Sequence, residues 1–163
     1  EAVQQRRAGP TRVGLALQHA GITLHENTCL RLVKDGDPFW LAGLGDQWAF
    51  WGGYGSFEGV DDLAGTIAQA DDDAPLILMV HEPDIFPQVP DRVTLTVAGH
   101  THGGQVRILG YAPVVPSKFG TRYVYGHIVE EGRDLIVSGG LGCSGLPIRF
   151  GSPPEIVSIE LGA

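Results

Sequence analysis

Apolar positions along the chain follow two rhythms, one alternating and one helical, and the switches between them divide the sequence into short elements. Val13, Leu15, Leu17 and Ala20 recur within Pro10 to Ala20 and Gly21 follows, which predicts a short helix with a glycine stop. Ile22 to Val33 and Phe39 to Leu44 read as two strands joined by the turn Lys34-Asp35-Gly36-Asp37-Pro38. Gly43 to Gly55 holds Trp48, Phe50, Trp51 and Tyr54 among glycines. It reads as a loop that either packs over a sheet edge or walls a ligand cleft. Val60 to Ala70 has helical spacing, with Leu63, Ile67 and Ala70 on one side and Asp61 and Asp62 near its start, where the helix dipole favours them. Asp71-Asp72-Asp73 is a solvated acidic turn, since no EF-hand pattern follows.

The second half of the chain reads as mostly strand. Pro75 to Val80 is an apolar run of the kind covered on both faces of a sheet. Val93 to Ala98 and Gln105 to Leu109 are two further short strands. Tyr123 to Val129 and Asp134 to Ser138 flank Glu130-Glu131-Gly132-Arg133 as a hairpin, and Glu155 to Leu161 closes the chain with alternation. The reading is one α/β unit, strand-rich, with two or three helices and neither repeat nor linker.

Composition narrows the picture. At 163 residues the chain fits one domain. Its 24 glycines are twice the ~7% share of an average chain, and they sit between apolar runs, pointing to tight turns and close backbone approaches. The formal net charge is −8, with no basic cluster longer than Arg6-Arg7. A duplex-binding domain would show a basic stripe, so nucleic acid is excluded as a stable partner. Cys29 and Cys143 are far apart in sequence and read as ordinary thiols. No run of ~18 apolar residues is long enough to cross a membrane. No apolar region follows Glu1 to Arg7 as a signal peptide would require, and the start reads as the middle of a longer protein.

The chemistry concentrates at strand ends. His81 closes the apolar run Leu76 to Val80, and His100 and His102 follow Val93 to Ala98 within Gly99-His100-Thr101-His102-Gly103-Gly104-Gln105. In an extended segment residues i and i+2 share a face at about 3.3 Å rise per residue, so two imidazoles so spaced could serve two ions ~3.5–4 Å apart. The flanking Gly99, Gly103 and Gly104 suit a crowded centre that leaves little room for Cβ atoms. Carboxyl ends of strands are also where open α/β sheets place ligands. His81, His100 and His102 are therefore the candidate metal ligands, with His100 and His102 the candidate catalytic pair. His19, His25 and His127 lack such settings and read as surface or structural. Thr101 and Gln105 read as hydrogen-bonding supports for the ligands, Asp84 as a cap after Pro83, and Trp48 and Tyr54 as cleft lining. Arg149 could contact a phosphate oxygen or anchor an ion pair.

Those motifs carry a family resemblance. Leu78-Met79-Val80-His81-Glu82-Pro83-Asp84 followed by the Gly99 to Gln105 run resembles the second half of the calcineurin-like metallophosphoesterases, nearest to the small bacterial phosphodiesterases. Leu135 to Gly142, Leu146 to Phe150 and Pro153 to Ile156 fit the same branch, as do Gly45 to Ala49 and Gly21 to Asn27, so the similarity runs over nearly the whole chain. The resemblance implies half of a four-layer α-β-β-α sandwich with metals at one edge. It implies two divalent ions, manganese, zinc or iron, with His81 and His100 on one ion and His102 on the other. An activated hydroxide would attack phosphorus in line, hydrolysing a phosphate-ester small molecule or a lipid-linked phosphate.

The chain also departs from the family pattern. No Asp-x-His occurs, Ala49 stands where Gly45-Asp46 would call for a second aspartate, and Asn27 lies outside any Gly-Asn-His. These motifs belong to the family's first half, so the chain is expected to be a C-terminal portion whose partner is the N-terminal half of the same protein. Three neutral imidazoles place no negative charge against two dications, so this portion alone should hold one ion or none and be inactive. Half a sandwich should bare an apolar sheet face, which a dimer could cover. Two rival readings stay open at this stage: a stand-alone three-histidine zinc hydrolase, and a non-catalytic glycine-rich β module.

Overall fold

The structure, a computed structural model, describes residues 11–162. Thr11 caps the first helix, α1 (Arg12–His19), its side-chain oxygen accepting from Gly14 N at 3.0 Å. Pro10, at the start of the predicted helix, lies outside the described residues. Two strands follow, β1 (Thr28–Lys34) and β2 (Asp37–Gly43), antiparallel around the predicted turn. The expected strand from Ile22 begins only at Thr28, because Asn27 takes a left-handed φ of 53°. Its amide ties down the surrounding loops instead: Oδ1 accepts from Gly45 N and Asp62 N, and Nδ2 donates to Val60 O.

The expected aromatic loop folds further than its glycines suggested. β3 (Phe50–Gly53) and β4 (Ser56–Glu58) form a separate two-stranded hairpin. The helix expected over Val60 to Ala70 shrinks to α2 (Leu63–Ile67), capped by Asp62 accepting from Gly65 N at 2.9 Å. Val60 N is already committed to Asp46 O and Asp62 N to Asn27, so the first residues of the prediction belong to the loop.

The main sheet has six strands in the order β1-β2-β5-β6-β8-β7, completed by β5 (Leu76–Met79), β6 (Leu95–Ala98), β7 (Gly126–Glu130) and β8 (Arg133–Val137). The centre is parallel and the outer pairs are antiparallel hairpins. On one face Trp40, Ala42, Leu76, Leu78, Leu135 and Val137 are buried, packed with Ile85, Phe86 and Val89 around a 3-10 helix at Pro83–Gln88 and with Tyr123. On the other face Leu41, Ile77, Met79, Val97 and Ile136 stay only half-buried, and Leu30 of β1 is exposed. The fold is thus mixed α/β, as expected, with one sheet face sealed and one partly open.

Two expected strands do not form. Across Gln105 to Leu109 there are only single bridges, Val106 to Phe150 and Ile108 to Tyr111. Gln105 and Leu109 both have positive φ, which breaks an extended run. Glu155 to Leu161 alternates in sequence but pairs with no strand among the described residues. Glu155 instead accepts from Gly139 N and the Tyr125 hydroxyl, and the residues after it lie beside Leu95, Ile136 and His127.

Candidate metal centre

Parallel pairing puts the carboxyl ends of β5, β6 and β8 at one edge, and backbone bonds extend that register past the strands. Val80 N donates to Val97 O, Gly99 N to His81 O at 3.1 Å and Ser138 N to Ala98 O. His81 and His100 are thereby set side by side, ring centroids 5.0 Å apart and planes at 78°. Trp48, reaching in ahead of the β3–β4 hairpin, meets His100 edge-on at 4.7 Å. His81, His100 and His102 all line one open cavity of about 760 Å³, together with Trp48, Val106, Val114 and Leu146.

The route to this arrangement differs from the extended segment expected of Gly99 to Gln105. His100 has a φ of 67° and His102 a φ of 53°, and His102 opens a 3-10 turn over His102–Gly104. Such left-handed residues are costly and persist only where the surroundings over-determine them, a pattern common at functional sites. Gly103 and Gly104 are both required, with φ of 62° and 81°. A Cβ on Gly104 would sit 2.3 Å from Ala112 Cβ, and one on Gly103 2.7 Å from Ser152 Oγ.

Glu82 was not among the sequence candidates. It is 1% exposed, its carboxylate accepts from Gln47 N at 3.1 Å, and it lies 4.0 Å from His100 Nδ1. Burial, reinforced by the negative charge of Asp46, pushes its pKa up to about 7. The His81-Glu82-His100 ligand atoms all lie within 4.8 Å of one another, which makes this the tightest metal-competent group among the described residues. The signal in the sequence was a charged residue directly after an apolar strand, easily read as surface.

Burial and the neighbouring His81 push the His100 pKa below its ordinary value, so its ring is held neutral, the form that ligates metals. Its Nε2 is buried without a hydrogen-bond partner. An orphaned imidazole nitrogen beside a second imidazole and a carboxylate is a donor set suited to a divalent cation. On that observation the residues fit the metal that the resemblance implies.

The remaining candidates fall into place around this centre. The Arg149 guanidinium is spent on backbone carbonyls, with Nε donating to Gly142 O, Nη1 to His102 O and Ser152 O, and Nη2 to Gly139 O. It braces the loop behind His102 and is not part of the cavity lining. Thr101 Oγ1 donates to Val124 O rather than to any of the three histidines. Asp84 does not cap its helix but accepts from Ser117 Oγ at 2.5 Å and Lys118 N at 2.7 Å, holding the loop beyond. Trp48 lines the cavity, whereas Tyr54 is fully exposed at the hairpin tip and does not. His25 pairs with Thr28 and His127 with Asp134, both away from the centre. Cys29 and Cys143 are both free thiols.

Comparison with known proteins gives relatives named as metallophosphoesterases and a phosphodiesterase. A metallophosphoesterase of Bacillus subtilis (YkuE) is 34% identical over 143 residues, covering 86% of this chain and 47% of the relative. The phosphodiesterase YaeI of Escherichia coli is 29% identical over 154 residues, covering 91% and 51%. The chain belongs to the calcineurin-like metallophosphoesterase family. A third member, a metallophosphoesterase of Aquifex aeolicus, is 35% identical over 86 residues, covering 53% of this chain and 32% of its own. The chain spans about half the length of the first two metallophosphoesterases. No family model matches the chain, and no solved structure does.

Proposed function

We propose that the chain forms the histidine side of a dinuclear phosphoester hydrolase centre. In this reading His81 and His100 hold one divalent ion and His102 the other. The carboxylates that the family pattern calls for come from an N-terminal portion, a reading in keeping with a chain that spans about half its relatives' length. The supporting observation is that three imidazoles from the ends of two adjacent parallel strands line a single cavity. Bound there, divalent ions would polarise a phosphoester and lower the pKa of water, the chemistry the relatives' names imply.

The chain's own residues would do the rest. The lowered pKa of His100 favours the neutral ring, the form able to bind a cation. Glu82, whose carboxylate lies 4.0 Å from His100 Nδ1, would stand beside His81 and His100 as an oxygen donor to the same ion. Trp48 packs on His100 and limits water on that side. The three-histidine zinc hydrolase is the weaker reading, because His102 stands outside the tight group formed by His81, Glu82 and His100.

The test is metal content and turnover in the whole protein. His100→Ala and His102→Ala should each lower the content of bound transition metal and abolish hydrolysis of a generic phosphodiester, with the circular dichroism of the fold kept. Full turnover in either variant removes that residue from the ligand set. A wild-type protein that takes up no transition metal ends the reading altogether.

A further inference from the structure

Gln105 stands three residues after His102, with its own backbone at a φ of 45°. Its side chain is engaged at every polar atom. Nε2 donates to Ser144 O and to Leu146 O, both at 3.0 Å, and Oε1 accepts from Ser144 N at 2.7 Å. A main-chain N–H can only donate and a carbonyl can only accept, so these three bonds leave no choice about which amide atom is oxygen. That oxygen also lies 3.1 Å from His102 Nδ1. An amide oxygen accepts and never donates, so Nδ1 must carry the ring proton. Nε2 is then the nitrogen with a free lone pair, on a ring that lines the cavity.

From this we infer that Gln105 is a positioning residue that fixes the tautomer of His102, presenting Nε2 as its metal-binding atom. The inference rests on the reading of His102 as a ligand. The same amide fastens the segment around Ser144 and Leu146, a wall of the cavity, to the ring it orients. The backbone of His102 is held separately, its carbonyl accepting from Ser152 Oγ at 3.1 Å and from Arg149. Gln105 N also donates to that carbonyl at 3.0 Å, a main-chain bond that any residue at 105 except proline keeps, so the side-chain brace on the ring can be removed alone.

Two substitutions separate orientation from mere packing. Gln105→Glu keeps an acceptor for Nδ1–H but loses both donations to the Ser144–Leu146 segment, and Gln105→Ala loses everything. A role confined to holding that segment would damage both variants alike. In the metal-free whole protein at pH 8, long-range 1H–15N spectra should show His102 protonated at Nδ1 in wild type and in Gln105→Glu. In Gln105→Ala the Nε2-protonated form should grow in. His102→Gln identifies the resonances. Manganese or zinc affinity should fall roughly 10–100-fold in Gln105→Ala, the usual effect of losing such an outer partner, and less in Gln105→Glu. If Gln105→Ala fails to fold, Gln105→Met replaces it at similar length. An Nε2-protonated His102 in wild type overturns the inference, as does equal behaviour of the two variants. Failure of wild type to bind metal would sink the functional reading instead, and the tautomer measurement would still decide the role of Gln105.

Discussion

Glu82 is a carboxyl group buried to 1% exposure, with main-chain donors at Gln47 and at its own N–H and the carboxyl group of Asp46 beside it. Burial favours its neutral form, raising its folded-state pKa from 4.5 to about 7. For a raised carboxyl pKa, the stabilisation is fully present below the unfolded value and is lost as pH rises through the folded value. His100, with its lowered pKa, works in the opposite sense, losing stability as pH falls. The two are separated by comparison with Glu82→Gln. In metal-free protein, wild type should lose stability relative to Glu82→Gln between pH 4.5 and 7, at up to ~1.4 kcal/mol per pH unit. Thermal unfolding in a chelator across that window checks it, and parallel curves would show that Glu82 is not buried as an acid. Glu82 was invisible to sequence reading because its neighbours His81 and Pro83 mark a strand end, where a charged residue usually faces water. Burial there involves Asp46 and Gln47, far away in sequence.

At the level of elements, the turn His102–Gly104 does the positioning that an extended strand was expected to do. The sequence pattern placed His100 and His102 together and both line one cavity, but not through the extended geometry that was expected. Gly99, Gly103 and Gly104 were all expected for lack of Cβ room and positive φ. Gly103 and Gly104 meet both requirements, whereas a Cβ on Gly99 would meet nothing within 4 Å and its φ is not positive. Gly104→Ala tests them. The new Cβ meets Ala112 at 2.3 Å on a backbone with φ of 81°, so the turn must move. Overpacking together with left-handed strain should cost roughly 1–3 kcal/mol. Because the displaced turn carries His102, metal affinity should fall in the same variant. A chemical denaturation curve and a metal titration together check it, and an unchanged pair would mean the turn tolerates a side chain. The alternation that wrongly suggested strands at Gln105 to Leu109 and Glu155 to Leu161 shows the limit of such patterns. Alternation orients side chains, but a strand exists only where a neighbouring edge accepts its backbone bonds.

The whole molecule presents a six-stranded sheet with one sealed face and one open one. Leu30 and Val129, exposed at 43% and 63%, flank the half-buried Leu41, Ile77, Met79, Val97 and Ile136 on the open side. Leu95 on the same face is buried, with the segment from Ile156 to Leu161 beside it, so the face is open only in part. If an N-terminal portion completes the protein as proposed, the 163-residue chain alone should bind an apolar fluorescent dye or self-associate, and the whole protein should do neither. The chain alone should also fall far below the whole protein in phosphodiester hydrolysis. Equal activity would show that the histidine side suffices and that no further carboxylates are needed.

The apolar runs by themselves determined the central parallel strands, the two outer hairpins and the placing of His81, His100 and His102 at strand ends. These are local properties: burial on both faces requires unbroken apolar runs, and tight turns require glycine or its equivalents. Tertiary structure alone decided the burial of Glu82 beside Gln47, the commitment of Arg149 to main-chain carbonyls such as that of His102, and the tie between Gln105 and the Ser144–Leu146 segment. Each depends on atoms tens of residues apart meeting within hydrogen-bond distance. Nothing in the residue type at one position reports whether a distant carbonyl or amide will be there to receive it.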